Sequence, residues 1–265
     1  METKKMISPI SGKEYQLVFE DHFYGDYPNP DNWTIEDNDR YYNGEVNYKT
    51  SRRENVRCEN SCLIIEAHKE EYKGKHYTSA AMDSHGKKFF KYGRFEMLAK
   101  LPYGKSMWPA FWTMGEHRGW PWGGEIDVME MVGDVDGYGN QNGDSITLAT
   151  LHWADPETPD YDHTFHQGFG KYLLPGYENG AKLNDEFHIY GVEWDENEIV
   201  SYFDDVIVGR IDIKSNSTMR DAFHKEHFML LNLSLGGPWP GNPDETTVLP
   251  MQYQVDWVRV WQTVK

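Results

Sequence analysis

Residues 123–133 read GGEIDVMEMVG, and three of them carry carboxylates: Glu125, Asp127 and Glu130. Ile126, Val128, Met129, Met131 and Val132 surround them, so the stretch reads as a buried strand. Side chains alternate along a strand, which puts Glu125 and Asp127 on one face and Glu130 on the other. One extra residue, a β-bulge, restores the parity and returns Glu130 to the face of the first two. The adjacent apolar pair Val128-Met129 is where that bulge is expected. Crowded carboxyls cannot all ionise cheaply, so one of them should hold a proton at neutral pH. An ionised carboxylate beside a protonated one is the pair that retaining hydrolysis of a glycosidic bond uses, the two groups standing roughly 5–5.5 Å apart. Two plainer readings stand beside this one. Alternating acids also make a solvated strand face, and clustered carboxylates can bind calcium, although calcium loops usually add Gly and Asn.

The neighbouring aromatics favour the first reading. In MWPAFWTMG, Trp108, Ala110 and Trp112 share a face if the stretch is extended, and Trp120 and Trp122 follow in GWPWGGEID. Indole rings stack on the apolar faces of sugar rings. A single Trp is more often a core residue. Several of them beside three acids and many glycines point to a cleft across the concave face of a β-sandwich.

Holding such a cleft takes sheets, and short β-type runs recur along the chain: YQLVF, NVRC, LIIEAH, RFEMLAKL, ITLATLHW, FHIYGVEW, EIVSYFDD, VIVGRIDI, FMLLNLSL and QVDWVRVW. Turn residues separate them, as in YGDYPNPDN and GGPWPGNPDE. One helix is predicted, SNSTMRDAFHKEHF around 215–228, with Ser or Asn to cap it. The connection 154–183, rich in Asp, His, Gly and Tyr, is expected to decorate one face. With no βαβ rhythm and no fixed repeat, the pattern implies an all-β sandwich or barrel in one domain spanning 1–265.

Composition narrows the partners. A formal net charge of -17 argues against nucleic acid or an anionic membrane, and suits a neutral polymer such as an uncharged glycan. No stretch approaches the ~18 consecutive apolar residues of a membrane span. The opening METKKMISPISGKEY has two lysines and no apolar core after them, so it does not read as a signal peptide. Either the chain is cytoplasmic or an export signal has been removed. The two cysteines, in NVRCENSCLII, flank what reads as a three-residue turn, Glu59-Asn60-Ser61. That geometry would set Cys58 opposite Cys62, close enough for a disulfide, with two unlinked thiols as the alternative.

GEIDVMEMVG is similar to the signature of glycoside hydrolase family 16 in its bulged E-I-D-x-x-E form. GKSMWPAFWTMG before it and GGPWPGNPDETTVLPMQYQVDWVRVW near the end resemble the laminarinase-type branch, the endo-β-1,3-glucanases and β-1,3(4)-glucanases. LVFEDHF, NGEVNYKT, RRENVRCENSCLIIEAHKE, YTSAAM, KYGRFEMLAKLP and FHIYGVEWDENEI extend the likeness over about residues 16–262, in the family's order. The resemblance implies a β-jelly-roll of two curved antiparallel sheets with an open substrate cleft. It implies a retaining endo-β-glucanase acting by double displacement, with Glu125 as nucleophile, Glu130 as general acid/base and Asp127 as the helper beside the nucleophile. Asn43, Trp108, Trp112, Trp120, His152 and Trp239 match sugar-binding or cleft positions. Arg94 does too, with a structural ion pair to Glu96 as its alternative. No cofactor is required. The partner expected is a β-glucan polysaccharide or oligosaccharide, the chain a monomer, and the location secreted or cell-surface, with the cytoplasm as the alternative.

The chain also departs from the pattern. YTSAAM lacks the arginine often seen as S-A-R, which affects a glycone-side contact. LVFEDHF carries His22 where the family often has a Glu that binds calcium together with a C-terminal Asp. Asp256 remains, so the resemblance still allows a weakened structural calcium there. Two other functions compete: hydrolysis of a red-algal galactan, and a non-catalytic glucan-binding jelly-roll. Sulfated galactans would favour Arg and Lys in the cleft, which these motifs supply sparsely, and a non-catalytic module would not need both Glu125 and Glu130.

Overall fold

Alternating burial along each run decides which side of each strand is covered, and two layers result. The computed structural model describes residues 4–40, 43–135, 139, 141–157 and 164–264. Its strands begin with β1 (Lys5–Ile7), β2 (Glu14–Asp21), β3 (Thr34–Ile35), β4 (Asn47–Lys49), β5 (Val56–Glu59), β6 (Cys62–Tyr72), β7 (Lys75–Ser79), β8 (Ala81–Asp83) and β9 (Gly93–Lys100). They continue with β10 (Met107–Gly115), β11 (Glu125–Glu130), β12 (Ile146–Ala154), β13 (Thr164–Leu173), β14 (His188–Trp194), β15 (Glu198–Phe203), β16 (Val206–Asp212), β17 (His227–Leu235) and β18 (Met251–Thr263).

One sheet runs β16-β15-β14-β9-β18-β6-β7-β4, with β1 and β2 joined through β18 and β5 through β6. The other runs β13-β12-β11-β10-β17-β8-β3. Pairing is antiparallel except between β4 and β7. This is the jelly-roll sandwich the sequence implied. Phe95, Met97 and Ala99 of β9, Val255, Val258 and Val260 of β18, and Met229, Leu231 and Leu233 of β17 meet between the sheets. Apart from Ala99, each of these side chains, once buried, stabilises the fold by about 1.5–3 kcal/mol. No helix among the described residues is long and apolar enough to cross a membrane.

Three local expectations are corrected. The predicted helix shrinks to α1 (Met219–Ala222), because Phe223 is fully buried and His227 already begins β17, itself fully buried. The connection 154–183 is not merely a decoration: it supplies β13, a ten-residue edge strand paired with β12. The cysteine hairpin turns in two residues rather than three. Asn60 and Ser61 both have positive φ, 54° and 58°, as a tight primed turn requires. Glu59 therefore pairs with Cys62 and Cys58 with Leu63. That one-residue offset turns the thiols to opposite faces, Cys58 into the core, and both cysteines are free.

Candidate active site

The carboxylates are placed by a register fault. Against β10, Met129 pairs with Phe111 but Asp127 pairs with Trp112, leaving Val128 as the extra residue. Against β12, Asp127 pairs with Thr150 and Glu130 with Leu148, three steps on β11 against two. The bulge therefore falls within the expected Val128-Met129. Both of these side chains join the core cluster, while Glu125, Asp127 and Glu130 all line the same cleft. Core burial at Val128 and Met129 is what holds the fault in place, by about 1.5–3 kcal/mol each.

The cleft is open, with a volume of about 500 Å³, and runs across β11, β10, β17 and β8 on the side away from the core. Asp127 and Glu130 are buried in its floor, and Glu125 is half-buried. The Trp108 indole N–H donates to Glu130 Oε1 at 3.0 Å. His152, opposite Glu125 in the register, brings Nε2 to 3.3 Å from Asp127 Oδ2. The carboxyls of Glu125 and Asp127 share a hydrogen bond, and Trp120 donates a second one to Glu125. A tight GG turn leads into β11. Gly124 has φ 81°, and a Cβ there would meet Ala222 Cβ at 2.8 Å.

Burial, first, and then the neighbouring charges raise the pKa of all three acids. Glu125 and Asp127 lie well above the usual carboxylate range. Glu130 is pushed up to about 7 by burial, against the Trp108 hydrogen bond, with the charge of Glu125 adding to the rise. At neutral pH the trio thus keeps protons that solvated acids would have lost. One partner is held ready to donate, as acid-base chemistry on a glycosidic oxygen needs.

The other expected residues divide. Trp112 lines the cleft, fixed by its N–H donating to Asn232 Oδ1 at 2.7 Å, and Asn43 lines the opposite wall. Trp239 packs edge-on against Trp108, ring centroids 5.2 Å apart. Arg94 is not a cleft residue. It belongs to β9 in the other sheet, is 2% exposed, and contacts Glu96 at 2.7 Å, Asp205 at 2.8 Å and Glu193 at 3.0 Å. Its guanidinium also lies over the Tyr202 ring at 4.2 Å. The structural alternative for Arg94 is the correct one.

The donors around His22 do not fit a calcium ion. Asp256 sits half-buried at a fault in β18 between Val255 and Trp257, and its charge acts on Cys62. His22 Nε2 lies 3.4 Å from Arg259 Nη2 and 3.3 Å from Glu20 Oε2. An imidazole beside a guanidinium is the wrong company for a hard cation. Among the described residues, the His, Cys, Asp and Glu side chains that gather are Glu125, Asp127 and His152, whose donor atoms lie within 4.8 Å of one another.

Sequence reasoning missed Asn232 and Ser234, which line the cleft from β17, and the wall residues Glu36, Lys49, Asp83, His85, Glu116 and Arg118. The two on β17 had a signal: they are the polar alternates of FMLLNLSL. The wall residues come from short strands and turns without a period to read.

Residues 43–259 match the family model described as Glycosyl hydrolases family 16. A β-glucanase of Rhodothermus marinus is 33% identical over 95% of this chain and 86% of its own length. A glucan endo-1,3-β-glucosidase of Cryptopygus antarcticus is 30% identical over 92% and 91%. The solved endo-β-1,3-glucanase of Pyrococcus furiosus superposes with a TM-score of 0.82 at 31% identity, covering 100% of this chain and 99% of that one. With the bulged acid trio seated in an open, tryptophan-lined cleft, these likenesses mark the chain as a member of glycosyl hydrolase family 16.

Proposed function

We propose that the protein is a retaining endo-β-glucanase that cuts β-1,3 or mixed β-1,3/1,4 glucans. The observation that carries the reading is the β11 bulge, which puts Glu125 and Glu130 on one cleft floor, Glu130 under the N–H of Trp108. Glu125, its anionic form favoured by Trp120, attacks the anomeric carbon while Glu130 gives its proton to the leaving oxygen. The glycosidic C–O bond breaks and an ester to Glu125 forms. Glu130, now ionised, takes a proton from water, whose oxygen displaces Glu125 and regenerates both groups. Trp108 and Trp112 supply faces on which sugar rings stack. An open cleft admits the middle of a chain, hence endo action.

The named relatives act on β-glucans, which supports that substrate. The cleft-lining charges support a neutral polymer as well: Glu36, Glu45, Asp83 and Glu116 join the trio against Lys49 and Arg118. One chain supplies every group named, so a monomer suffices, and the polymeric substrate fits a secreted or cell-surface location. The test is proton NMR of early product from laminarin and from barley β-glucan. The β-anomer should appear first, and initial α-anomer would exclude double displacement. Glu130→Gln should abolish cleavage of both while still binding oligosaccharide.

A further inference from the structure

The far wall of the cleft carries a charged pair that the catalytic chemistry does not use. Lys49, the last residue of β4, and Glu36, just beyond β3, both line the cleft. Lys49 Nζ lies 3.0 Å from Glu36 Oε2, the side chains 13% and 27% exposed. Asn38 Nδ2 donates to the same oxygen at 3.2 Å, and the Glu36 backbone N–H donates to the Ala81 carbonyl at 2.9 Å. Asp83, two residues along β8 from Ala81, lines the same wall. Its pKa is raised by burial and then by the charge of Glu36.

The floor leading to this pair is low. The strand register sets Glu130, Ala110, Asn232 and Ala81 in one row across β11, β10, β17 and β8. Three strand spacings make that row about 14 Å long. Both alanines carry only a methyl group, so nothing from Ala110 or Ala81 fills the trough.

We propose that Lys49 and Glu36 form a distal subsite, which binds the hydroxyl groups of a neutral hexose unit away from the scissile bond and so sets the preferred chain length. An ammonium donates and a carboxylate accepts, and adjacent hydroxyls on one pyranose ring offer both complements. The two groups are already held by each other, by Asn38 and by the strand register, so binding orders little that was free. A bulky or anionic substituent on those hydroxyls would meet Glu36 and Asp83 and be rejected.

The proposal rests on the glucan reading, and the two fail separately. The substrate panel shows whether any glucan is cut. The subsite is then tested on whichever one is, using an oligosaccharide long enough to reach Lys49 and one too short. Lys49→Met and Glu36→Gln should each lower the ratio of kcat/KM for the long chain to that for the short one about tenfold. The loss should fall mainly on KM. Ala81→Leu fills the trough while leaving both charged groups in the chain and should lower the same ratio, which guards against a misfolded charge variant. An unchanged ratio in all three, or an equal fall on both chains, would overturn the subsite.

Discussion

Trp108 donates to Glu130 across 3.0 Å, and that bond works against burial in setting where Glu130 gives up its proton. A hydrogen bond to the charged form favours it, so Trp108 holds the pKa of Glu130 down while burial pushes it up to about 7. Glu130 must be protonated to act as acid. Activity is therefore present below that pKa and lost as pH rises through it. The expected kcat/KM profile has its alkaline limb near pH 7, since that parameter reports the free enzyme. Trp108→Phe keeps a ring but removes the donor. The sign follows: Glu130 loses a group that favours its anion, its pKa rises, and the alkaline limb moves to higher pH. A pH–rate profile of the variant checks this, whatever rate is lost with the stacking surface. A limb that stays put or moves down would mean that another group carries the proton.

At the scale of elements, β11 shows why some of the site was legible. Acids at spacings of two and three cannot share a face of a regular strand, so reading them as one constellation places a bulge at Val128-Met129, where the structure has it. The edge strand β13 carried no such mark. Gly168 and Gly170 interrupt it, and Gly170 is there because a Cβ would come within 2.8 Å of Ser201 Oγ, a contact that exists only once the sheets are packed. The helix at 215–228 failed for a similar reason: its caps were local, but the burial of Phe223 and His227 was not. Arg94 shows the deepest limit. Alternation correctly sets it opposite Phe95 and Met97, yet no local pattern says which sheet a strand will join. The consequence is testable, because Arg94 faces Glu96, Glu193 and Asp205 at low exposure. Arg94→Met leaves those acids without their cation, and the expected cost is about 3–5 kcal/mol of stability. Activity per folded molecule should be retained. Urea melts set beside kinetics measure both, and a raised KM without lost stability would return Arg94 to the cleft.

The whole molecule carries a formal net charge of -17, and its cleft shares that sign. Besides the proton-holding trio, the acids Glu36, Glu45, Asp83 and Glu116 line it against the cations Lys49 and Arg118. Low-dielectric walls focus such a field into the groove, so the approach of any anionic polymer is opposed before a contact forms. A neutral glucan feels none of this. Carboxymethylating or sulfating the same glucan lightly should therefore lower kcat/KM by at least about tenfold at low salt, more than lost contacts at the modified rings explain. Salt separates the two causes. The screening length shrinks from about 30 Å at 0.01 M to about 10 Å at 0.1 M, so the electrostatic part of the deficit should close as salt is added. The steric part remains, and cleavage of the neutral polymer should barely change. A deficit that does not respond to salt would mean that the acidic cleft plays no part in choosing the polymer, and that shape alone does.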